Sequence, residues 1–190
     1  MKIRSFLAFR LPPAIKSGIE QISRDIRDSD LNISLVKTDN IHLTLLFLGD
    51  VDEDDIPSIK EAFNDSCSVY APFKVYLKGV GVFPNLRRPR VLWLGLEGEI
   101  ERLSFLKSDL EERLEPFGIK KEKRGFKAHL TLGRFRKSVP GYLLRDVLKK
   151  YGNFISEEWL LDELILFRSI LKNTGAEYRI IQSCAMTGHD

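Results

Sequence analysis

Apolar and polar residues alternate along this chain with two periodicities, one of two residues and one of about 3.6 residues. The first periodicity is typical of strands with one buried face, and the second is typical of helices that pack on a core. The pair Pro12–Pro13 suits a helix start, and Asp52–Asp55 supplies acidic residues favoured in a first helical turn. In the first third of the chain these patterns predict strands over 2–10 and 41–48 and helices over 12–27 and 52–66.

The rest of the chain continues the alternation of strand and helix patterns. Its clearest helix covers 99–116, where apolar residues recur at helical spacing. Around this helix the patterns predict strands near 72–78 and 90–96, with a loop region (GVGVFPN) between them, then a strand at 127–135, a short helix near 140–151, and strands near 158–168 and 176–186. Strands and helices in this order predict an α+β fold.

The tetrapeptide HLTL occurs twice, at 42–45 and at 129–132, and the two copies begin 87 residues apart. Because that spacing is nearly half of the chain, it predicts two related α+β halves, each of which contributes one HLTL strand to a shared groove. No segment rich in proline or glycine separates the halves. We therefore expect residues 1–190 to form a single domain of two lobes.

Bulk composition is that of an ordinary globular protein, with 43% hydrophobic and 30% charged residues. The longest apolar runs are too short or too polar to span a bilayer, and the amino-terminal MKIRSFLAFRLPP lacks the features of a signal peptide. We therefore expect a cytoplasmic protein without a membrane partner. Cys67 and Cys184 lie outside any CxxC pattern, which favours inert thiols over a metal site or a disulfide.

Positive charge is concentrated around the second HLTL copy. Residues 120–137 hold eight Lys or Arg against one Glu, although the net charge of the whole chain is only +3. A single basic run is usually a solvated surface, but one that encloses a motif favours an anionic partner such as a phosphate or RNA. The candidates for steering RNA by phosphate attraction are Lys120, Lys121, Lys123, Arg124, Lys127, Arg87, Arg88 and Arg90.

Each HLTL copy presents a histidine and a threonine on the same face of a strand. His42 with Thr44, and His129 with Thr131, are two positions apart, so their leucine neighbours face the opposite way into a core. One neutral imidazole can take a proton from an attacking oxygen, and one imidazolium can give a proton to a leaving oxygen. The threonine hydroxyls can donate hydrogen bonds to phosphate oxygens. This set suits phosphodiester chemistry that requires no metal.

A purely structural role, a metal site and a different catalytic class each account less well for the doubled motif. In a chain with three His and five Thr, chance predicts only about 0.08 His-x-Thr pairs, so two copies are not expected by coincidence. A metal site would need more ligands than two histidines supply. The sequence has no GxxxxGK[ST], GxGxxG or GxSxG motif for nucleoside triphosphates, dinucleotides or a serine nucleophile.

Four segments resemble a known family, the RNA 2′,3′-cyclic phosphodiesterases, also called 2′-5′ RNA ligases, of the two-histidine phosphoesterase superfamily. These segments are RSFLAFRLP, NIHLTLLFLGDV, GVGVFPNLRRPRVLWLGL and FKAHLTLGRFR. The resemblance implies a bilobal α+β fold in which two pseudo-symmetric lobes with antiparallel sheets surround a central groove. The substrate that it implies is RNA or an oligonucleotide with a 2′,3′-cyclic phosphate end, with tRNA fragments as candidates, and we expect a monomer without a cofactor or metal.

In that family, water opens a nucleoside 2′,3′-cyclic phosphate and leaves a 2′-phosphate. By analogy His42 is the general acid toward the departing 3′ oxygen and His129 the general base on water, while Thr44 and Thr131 hold the phosphate oxygens. Some members also join RNA ends through a 2′-5′ linkage, in which a 5′-hydroxyl takes the place of water. The pattern itself is symmetric, so the assignment of acid and base comes from the resemblance alone.

Two further family positions correspond to Phe47 and Arg134, each five residues after its histidine, and both resemble nucleotide or phosphate contacts. Strict alternation puts such a residue on the opposite face from the histidine, so each requires a bulge or a strand end, for which Gly133 is a candidate. Phe47 is equally consistent with a core position, whereas a guanidinium suits phosphate oxygens. We expect Phe83 and Trp93 to be core residues, and the third histidine, His189, to be an exposed tail residue.

Two alternatives to cyclic-phosphate hydrolysis remain open at the sequence level. The same groups could hydrolyse 2′-5′ linked oligonucleotides or small cyclic nucleotides, because the catalytic residues do not define the substrate. The groove could instead bind RNA ends without turnover. A binding module gains little from titrating imidazoles, since Lys or Arg would hold a phosphate more firmly.

Overall fold

Two antiparallel sheets and four α-helices make up the part of the chain that the computed structural model describes, residues 1–121, 125–172 and 175–189. The elements in chain order are β1 (Lys2–Phe9), α1 (Pro13–Arg27), β2 (Ser34–Leu35), β3 (Leu43–Asp52), α2 (Ile56–Val69), β4 (Phe73–Phe83), β5 (Val91–Gly98), α3 (Ile100–Leu114), β6 (His129–Arg134), α4 (Gly141–Tyr151), β7 (Trp159–Leu161), β8 (Glu163–Lys172) and β9 (Gly175–Ala185). The predicted α+β class is confirmed.

Strand order reveals how the two halves of the chain build the two lobes. The first sheet has the order β3-β1-β8-β9, and the second has the order β2-β6-β5-β4-β7. In the first sheet β3, which carries the first motif, pairs with β1, and β8 and β9 come from the second half of the chain. In the second sheet β6, which carries the second motif, pairs with β2 and β5, and β2 and β4 come from the first half. The two lobes are as predicted, but each half of the chain contributes strands to both of them, because β4 joins the second sheet and β8 and β9 join the first.

The apolar stripes predicted for the helices are buried. On α1 the stripe consists of Ile15, Ile19, Ile22 and Ile26, and on α3 of Leu103, Leu106, Leu110 and Leu114. These side chains belong to one cluster that joins both sheets and the helices. Burying each of them stabilises the fold by about 1.5–3 kcal/mol before the cost of ordering the chain.

The first sheet also buries residues on the face that points away from the helices. Phe6 and Ala8 of β1 pair with Phe167 and Ile165 of β8, and these four residues form a second, smaller apolar cluster. Tyr178 of β9 packs against this cluster. The aromatic face matters for function because it forms one wall of the groove described below.

Two sequence predictions about strands are wrong. The segment predicted as a loop after 78 continues β4 as far as Phe83. Its Gly81 lies beneath the indole of Trp93, where an added Cβ would be 2.2 Å from a ring carbon, so this glycine serves packing rather than a turn. The segment 158–168 forms two strands, since β7 pairs with β4 in the second sheet and β8 pairs with β1 in the first.

The two cysteines, distant in sequence, are neighbours in the fold where α2 faces β9. Both are free thiols, and Cys67 is fully buried. Burial, and secondly the adjacent Cys184, raise the pKa of the Cys67 thiol, so its reactive thiolate is disfavoured. This agrees with the expectation of an inert thiol at Cys67.

Within the described ranges, no helix is both long enough and apolar enough to cross a membrane.

Candidate active site

The two motif strands meet where the sheets approach each other. β2 pairs with β6, with Ser34 opposite Arg134, and the N–H of Val36 donates to the carbonyl of Leu132 at 2.8 Å. From this junction the chain reaches His42 and β3 within a few residues, and β3 itself contacts β6. The groove between the lobes is therefore lined by one HLTL strand from each sheet.

Both histidines are oriented by the same local hydrogen bond. Nδ1 of His42 lies 2.8 Å from the carbonyl oxygen of Asn40, and Nδ1 of His129 lies 2.6 Å from the carbonyl oxygen of Lys127. Because a carbonyl oxygen only accepts, each Nδ1 carries the hydrogen, and in the neutral ring Nε2 has the free lone pair. Each motif thus presents Nε2 as the nitrogen available for proton transfer.

His42 lies among aromatic rings. It stacks on Phe6 with 4.8 Å between ring centroids, and Tyr178 meets it edge-on at 5.1 Å and 90°. Phe167 completes this wall at 6.2 Å. Burial lowers the pKa of His42, and the hydrogen bond to the carbonyl of Asn40 opposes this only in part. The neutral imidazole is therefore the favoured form of His42 in the protein without ligand.

Phe83 and Trp93 form the corresponding aromatic contacts of His129, which corrects their expected place in the core. The ring of Phe83 meets His129 edge-on at 5.0 Å, and that of Trp93 lies at 6.5 Å. Both residues are only half-buried, and Lys127 Nζ lies 5.7 Å from the centroid of the Phe83 ring. They are wall residues of the groove beside the second motif.

Strand register shows that each motif strand contains a bulge at the same motif position. Thr44 pairs with Ala8 and Leu46 with Leu7, which leaves Leu45 as the extra residue of β3. In β6 the last leucine of the motif, Leu132, is extra in the same way. The break is therefore at the final leucine of each HLTL, and not at Gly133, which was the candidate from the sequence.

These bulges turn Phe47 and Arg134 toward the groove. Phe47 pairs with Phe6, and the two rings lie 6.1 Å apart. Arg134 pairs with Val91, two residues before the partner of Thr131, so Arg134 shares the face of Thr131. Phe47 is 69% exposed, which makes the core alternative for this residue wrong. Contact of either residue with a nucleotide stays a prediction.

Gly133 has a different role, which a substitution can test. An added Cβ would be 2.9 Å from both the Ile33 side chain and the carbonyl oxygen of Ser34 on β2. We expect Gly133→Ala to lower the free energy of unfolding by about 1–3 kcal/mol, measured by urea denaturation. Gly18→Ala is the matched control, because nothing lies within 4 Å of its Cβ and alanine favours helix α1 by about 1 kcal/mol. Equal stability of Gly133→Ala and wild type would contradict the packing role.

Tyr178 belongs to the first lobe and packs edge-on against His42. Burial raises the pKa of the Tyr178 phenol, and the positive charge of Arg134 is near enough to oppose that rise. Tyr178 thus touches His42 of the first motif and lies within electrostatic range of Arg134 beside the second motif. Neither Tyr178 nor Phe6 was identified from sequence, because no local motif marks a residue that joins the site through long-range pairing.

The basic candidates differ in their relation to the site. Lys127 lies beside Phe83 and His129, whereas Lys121 forms an ion pair with Glu112 of α3 at 2.9 Å. The N–H groups of Arg87 and Arg88 are held by the Asn85 side chain in an exposed turn. Lys120 and Arg90 are exposed, and Lys123 and Arg124 lie outside the described residues. The expected exposed tail position of His189 is confirmed.

Across residues 1–121, 125–172 and 175–189, no group of three or more His, Cys, Asp or Glu side chains is arranged to hold a metal ion.

The lowered pKa of His42 predicts a pH dependence of stability. The unfolded chain takes up a proton near the ordinary histidine pKa of about 6.5, whereas folded His42 resists it. Because the unfolded state then binds more protons, stability falls as the pH drops through and below this value and is unaffected well above it. We expect His42→Gln to flatten this fall in free energy of unfolding between about pH 7 and 5. His189→Gln is the control and should keep the wild-type slope; an unchanged slope in His42→Gln would contradict the prediction.

Comparison with known families matches both halves of the chain. The family described as "LigT like Phosphoesterase" matches residues 9–93 and again residues 94–178. Each matched region contains one HLTL motif. The internal repeat predicted from the spacing of the motifs is therefore a repeat of this family unit.

Curated relatives align with nearly the whole chain. An RNA 2′,3′-cyclic phosphodiesterase of Archaeoglobus fulgidus is 34% identical over 179 residues, which cover 93% of this chain and 97% of that protein. A protein of the same name from Aquifex aeolicus is 30% identical over 189 residues, 98% of each chain.

Solved structures share the fold. The protein TT0787 of Thermus thermophilus superposes with a TM-score of 0.85 at 27% identity, covering 99% of this chain and 100% of that one. Escherichia coli LigT, crystallised with 3′-AMP, superposes with a TM-score of 0.76 at 24% identity, covering 98% and 99%, and this likeness concerns the fold alone. With two family matches, one in each half, and relatives of similar length, this chain belongs to the LigT-like, two-histidine phosphoesterase family.

Proposed function

We propose that this protein hydrolyses the 2′,3′-cyclic phosphate at an RNA end and leaves a 2′-phosphate. The observation that carries this proposal is the pair of imidazoles, each tied through Nδ1 to the carbonyl two residues before it and each presenting Nε2 from a motif strand of the groove. A phosphodiester that must gain a nucleophile and lose an alkoxide needs this kind of proton donor and acceptor. Relatives over the full length of the chain carry the name of this activity.

In the proposed reaction His129 is the general base and His42 the general acid. Nε2 of His129 takes a proton from water, whose oxygen attacks phosphorus as the bond from phosphorus to the 3′ oxygen breaks. Nε2–H of His42 gives its proton to that departing oxygen. The product is a 2′-phosphomonoester with a free 3′-hydroxyl, so atoms and protons balance.

The acid role places a requirement on substrate binding. Burial among Phe6, Phe167 and Tyr178 favours neutral His42 before a ligand binds. The negative charge of a bound phosphate favours the imidazolium, so proton uptake by His42 accompanies binding. Burial of the acid among aromatic rings thus couples its protonation to the binding of the phosphate.

Three side chains are proposed to hold the phosphate. Thr44 and Thr131 donate hydrogen bonds to its non-bridging oxygens, where charge accumulates in the transition state. Arg134, on the same strand face as Thr131, adds a guanidinium. Phe47, which is exposed and lies on the face of Thr44, offers a ring for stacking on a nucleobase.

Product analysis tests this function directly. Protein treated with EDTA should convert adenosine 2′,3′-cyclic phosphate, and an RNA with the same end, into the 2′-phosphate alone at the rate of untreated protein. Liquid chromatography with authentic 2′-AMP and 3′-AMP separates the two products. Formation of 3′-AMP, or no turnover of either substrate, would overturn the proposal.

The same assay separates the remaining alternatives. A 5′-hydroxyl RNA added in excess tests 2′-5′ ligation, and 2′-5′ linked oligonucleotides and small cyclic nucleotides test the other substrate classes. Tight RNA binding without product would favour a module that only binds RNA ends. Use of tRNA fragments, a monomeric state and a cytoplasmic location stay predictions for assays with defined RNA, for ultracentrifugation and for cell fractionation.

A further inference from the structure

Tyr178 enters the groove from the hairpin formed by β8 and β9, far from either HLTL motif in sequence. It pairs with Ser169 of β8, while Phe167, also of β8, pairs with Phe6 on the groove face. Residues two apart on a strand share a face, so Ser169, Tyr178 and Phe167 all lie on the side of the groove. The hairpin therefore contributes a phenol to a site whose other polar groups come from the motif strands.

The ring of Tyr178 is held between two aromatic neighbours. It meets His42 edge-on at 5.1 Å and Phe6 edge-on at 5.1 Å and 79°. Such edge-to-face contacts restrict the ring and thereby the direction of its hydroxyl. A fixed donor beside a proposed general acid is suited to a defined contact with the substrate.

Tyr178 combines a hydroxyl donor with a position next to His42. Arg134 of the opposite lobe is near enough for its charge to act on the phenol. The Tyr178 phenol is a hydrogen-bond donor at neutral pH, as tyrosines ordinarily are, and burial raises its pKa further. A hydroxyl donor next to His42 and a guanidinium on the strand face of Thr131 can both bind one phosphate that lies between the two motifs.

We propose that Tyr178 is a phosphate-binding residue, whose hydroxyl donates a hydrogen bond to the oxygens of the scissile phosphate that Arg134 holds from the other lobe. The proposal rests on the proposed function, since it takes the scissile phosphate as the ligand. It assigns a role to the first lobe beyond its HLTL motif. The phosphate then connects the two lobes through Tyr178 on one side and Arg134 on the other.

Asn40 is the positioning residue of this arrangement. Its side-chain amide donates to the carbonyl of Ala176 on the hairpin at 3.1 Å, while its own carbonyl accepts the hydrogen of His42 Nδ1. One residue thus holds both the hairpin that bears Tyr178 and the imidazole of His42. Loss of its side chain removes this hydrogen bond to the hairpin but leaves the backbone carbonyl for His42.

The test uses binding of 2′-AMP, measured by calorimetry, beside steady-state kinetics on adenosine 2′,3′-cyclic phosphate. Tyr178→Phe keeps the ring contacts and removes the hydroxyl, and we expect about tenfold weaker 2′-AMP binding and a raised KM. In an Arg134→Ala background the same change should cost less, because both groups bind one phosphate. Tyr142→Phe, an exposed tyrosine on α4, is the control without effect.

Asn40→Ala should weaken 2′-AMP binding as Tyr178→Phe does, and Tyr178→Phe should add little in that background. Asn64→Ala is the matched control, because Asn64 also binds β9, through Gln182, but from helix α2. Wild-type binding of 2′-AMP by Tyr178→Phe, full additivity with Arg134→Ala, or no detectable 2′-AMP binding by wild type would overturn the inference. Absence of turnover in a protein that binds 2′-AMP through Tyr178 would instead overturn the proposed function.

Discussion

Replacing His42 or His129 by alanine is expected to lower kcat for 2′,3′-cyclic phosphate hydrolysis by about 10²–10⁴-fold, the usual contribution of one positioned proton donor or acceptor. Each imidazole is fixed through Nδ1, at 2.8 Å in His42 and 2.6 Å in His129, so its Nε2 is directed before the substrate arrives. Stopped assays of 2′-phosphate formation measure the loss.

A double variant tests whether the two histidines act in the same reaction. Since acid and base act in one reaction, His42→Ala with His129→Ala should cost much less than the product of the two single effects. His189→Ala is the control, because this third histidine lies exposed in the tail, and it should keep wild-type kcat. Near wild-type turnover in either motif variant would contradict the proposed roles.

Thr44→Val and Thr131→Val are expected to lower kcat by about 10²–10³-fold each, as loss of one oxyanion donor does elsewhere. Valine has nearly the shape of threonine and a similar preference for strands, so the bulged strands should remain intact. Only the hydroxyl is lost, and its hydrogen bond is worth most when negative charge accumulates on the phosphate oxygens. Kinetics and thermal unfolding of the same samples separate chemistry from stability.

A third threonine of the same chain provides the control for the threonine experiment. Thr187 is exposed in the tail, where its N–H donates to the carbonyl of Cys67, so Thr187→Val should leave kcat unchanged. If Thr44→Val or Thr131→Val raised KM alone, the hydroxyls would bind substrate and transition state equally, and the proposed stabilisation of charge would be wrong.

The two motifs share backbone geometry but differ in surroundings. Both have a hydrogen bond from Nδ1 to the carbonyl two residues earlier and a bulge at the last leucine of HLTL. His42, however, is buried among Phe6, Phe167 and Tyr178, which lowers its pKa. The internal repeat thus accounts for the matched backbone geometry of the two motifs, whereas the aromatic residues around the two imidazoles differ.

Sequence periodicity located the helices well and the strand ends less well. The helix at 99–116 agrees with α3, because an apolar stripe at helical spacing is a local property that survives packing. The glycines at 79 and 81 predicted a loop, but the indole of Trp93 occupies the space where a side chain at 81 would lie. The strand predicted at 158–168 was divided because its two ends pair with different sheets, which no local pattern reports.

For the groove, too, some features followed from local sequence patterns and others depended on long-range strand pairing. The repeated His-x-Thr spacing was sufficient to propose His42, Thr44, His129 and Thr131 as site residues, since alternation on a strand places each pair on one face. The need for a bulge before Phe47 and Arg134 also followed from that alternation. The sites of the bulges, Leu45 and Leu132, depend on register with β1 and β5.

Tyr178, Phe6 and Asn40 required the folded chain. Tyr178 reaches His42 because β9 pairs with β8 and β8 with β1, and Asn40 meets Ala176 across 136 residues of sequence. Likewise Phe83 and Trp93, expected in the core, line the groove because β4 and β5 bring them beside His129. Short sequence patterns show which residues have suitable chemistry and which strand face they share. Their neighbours in the groove depend on strand register and on the packing of the two lobes, which are interactions between distant parts of the chain.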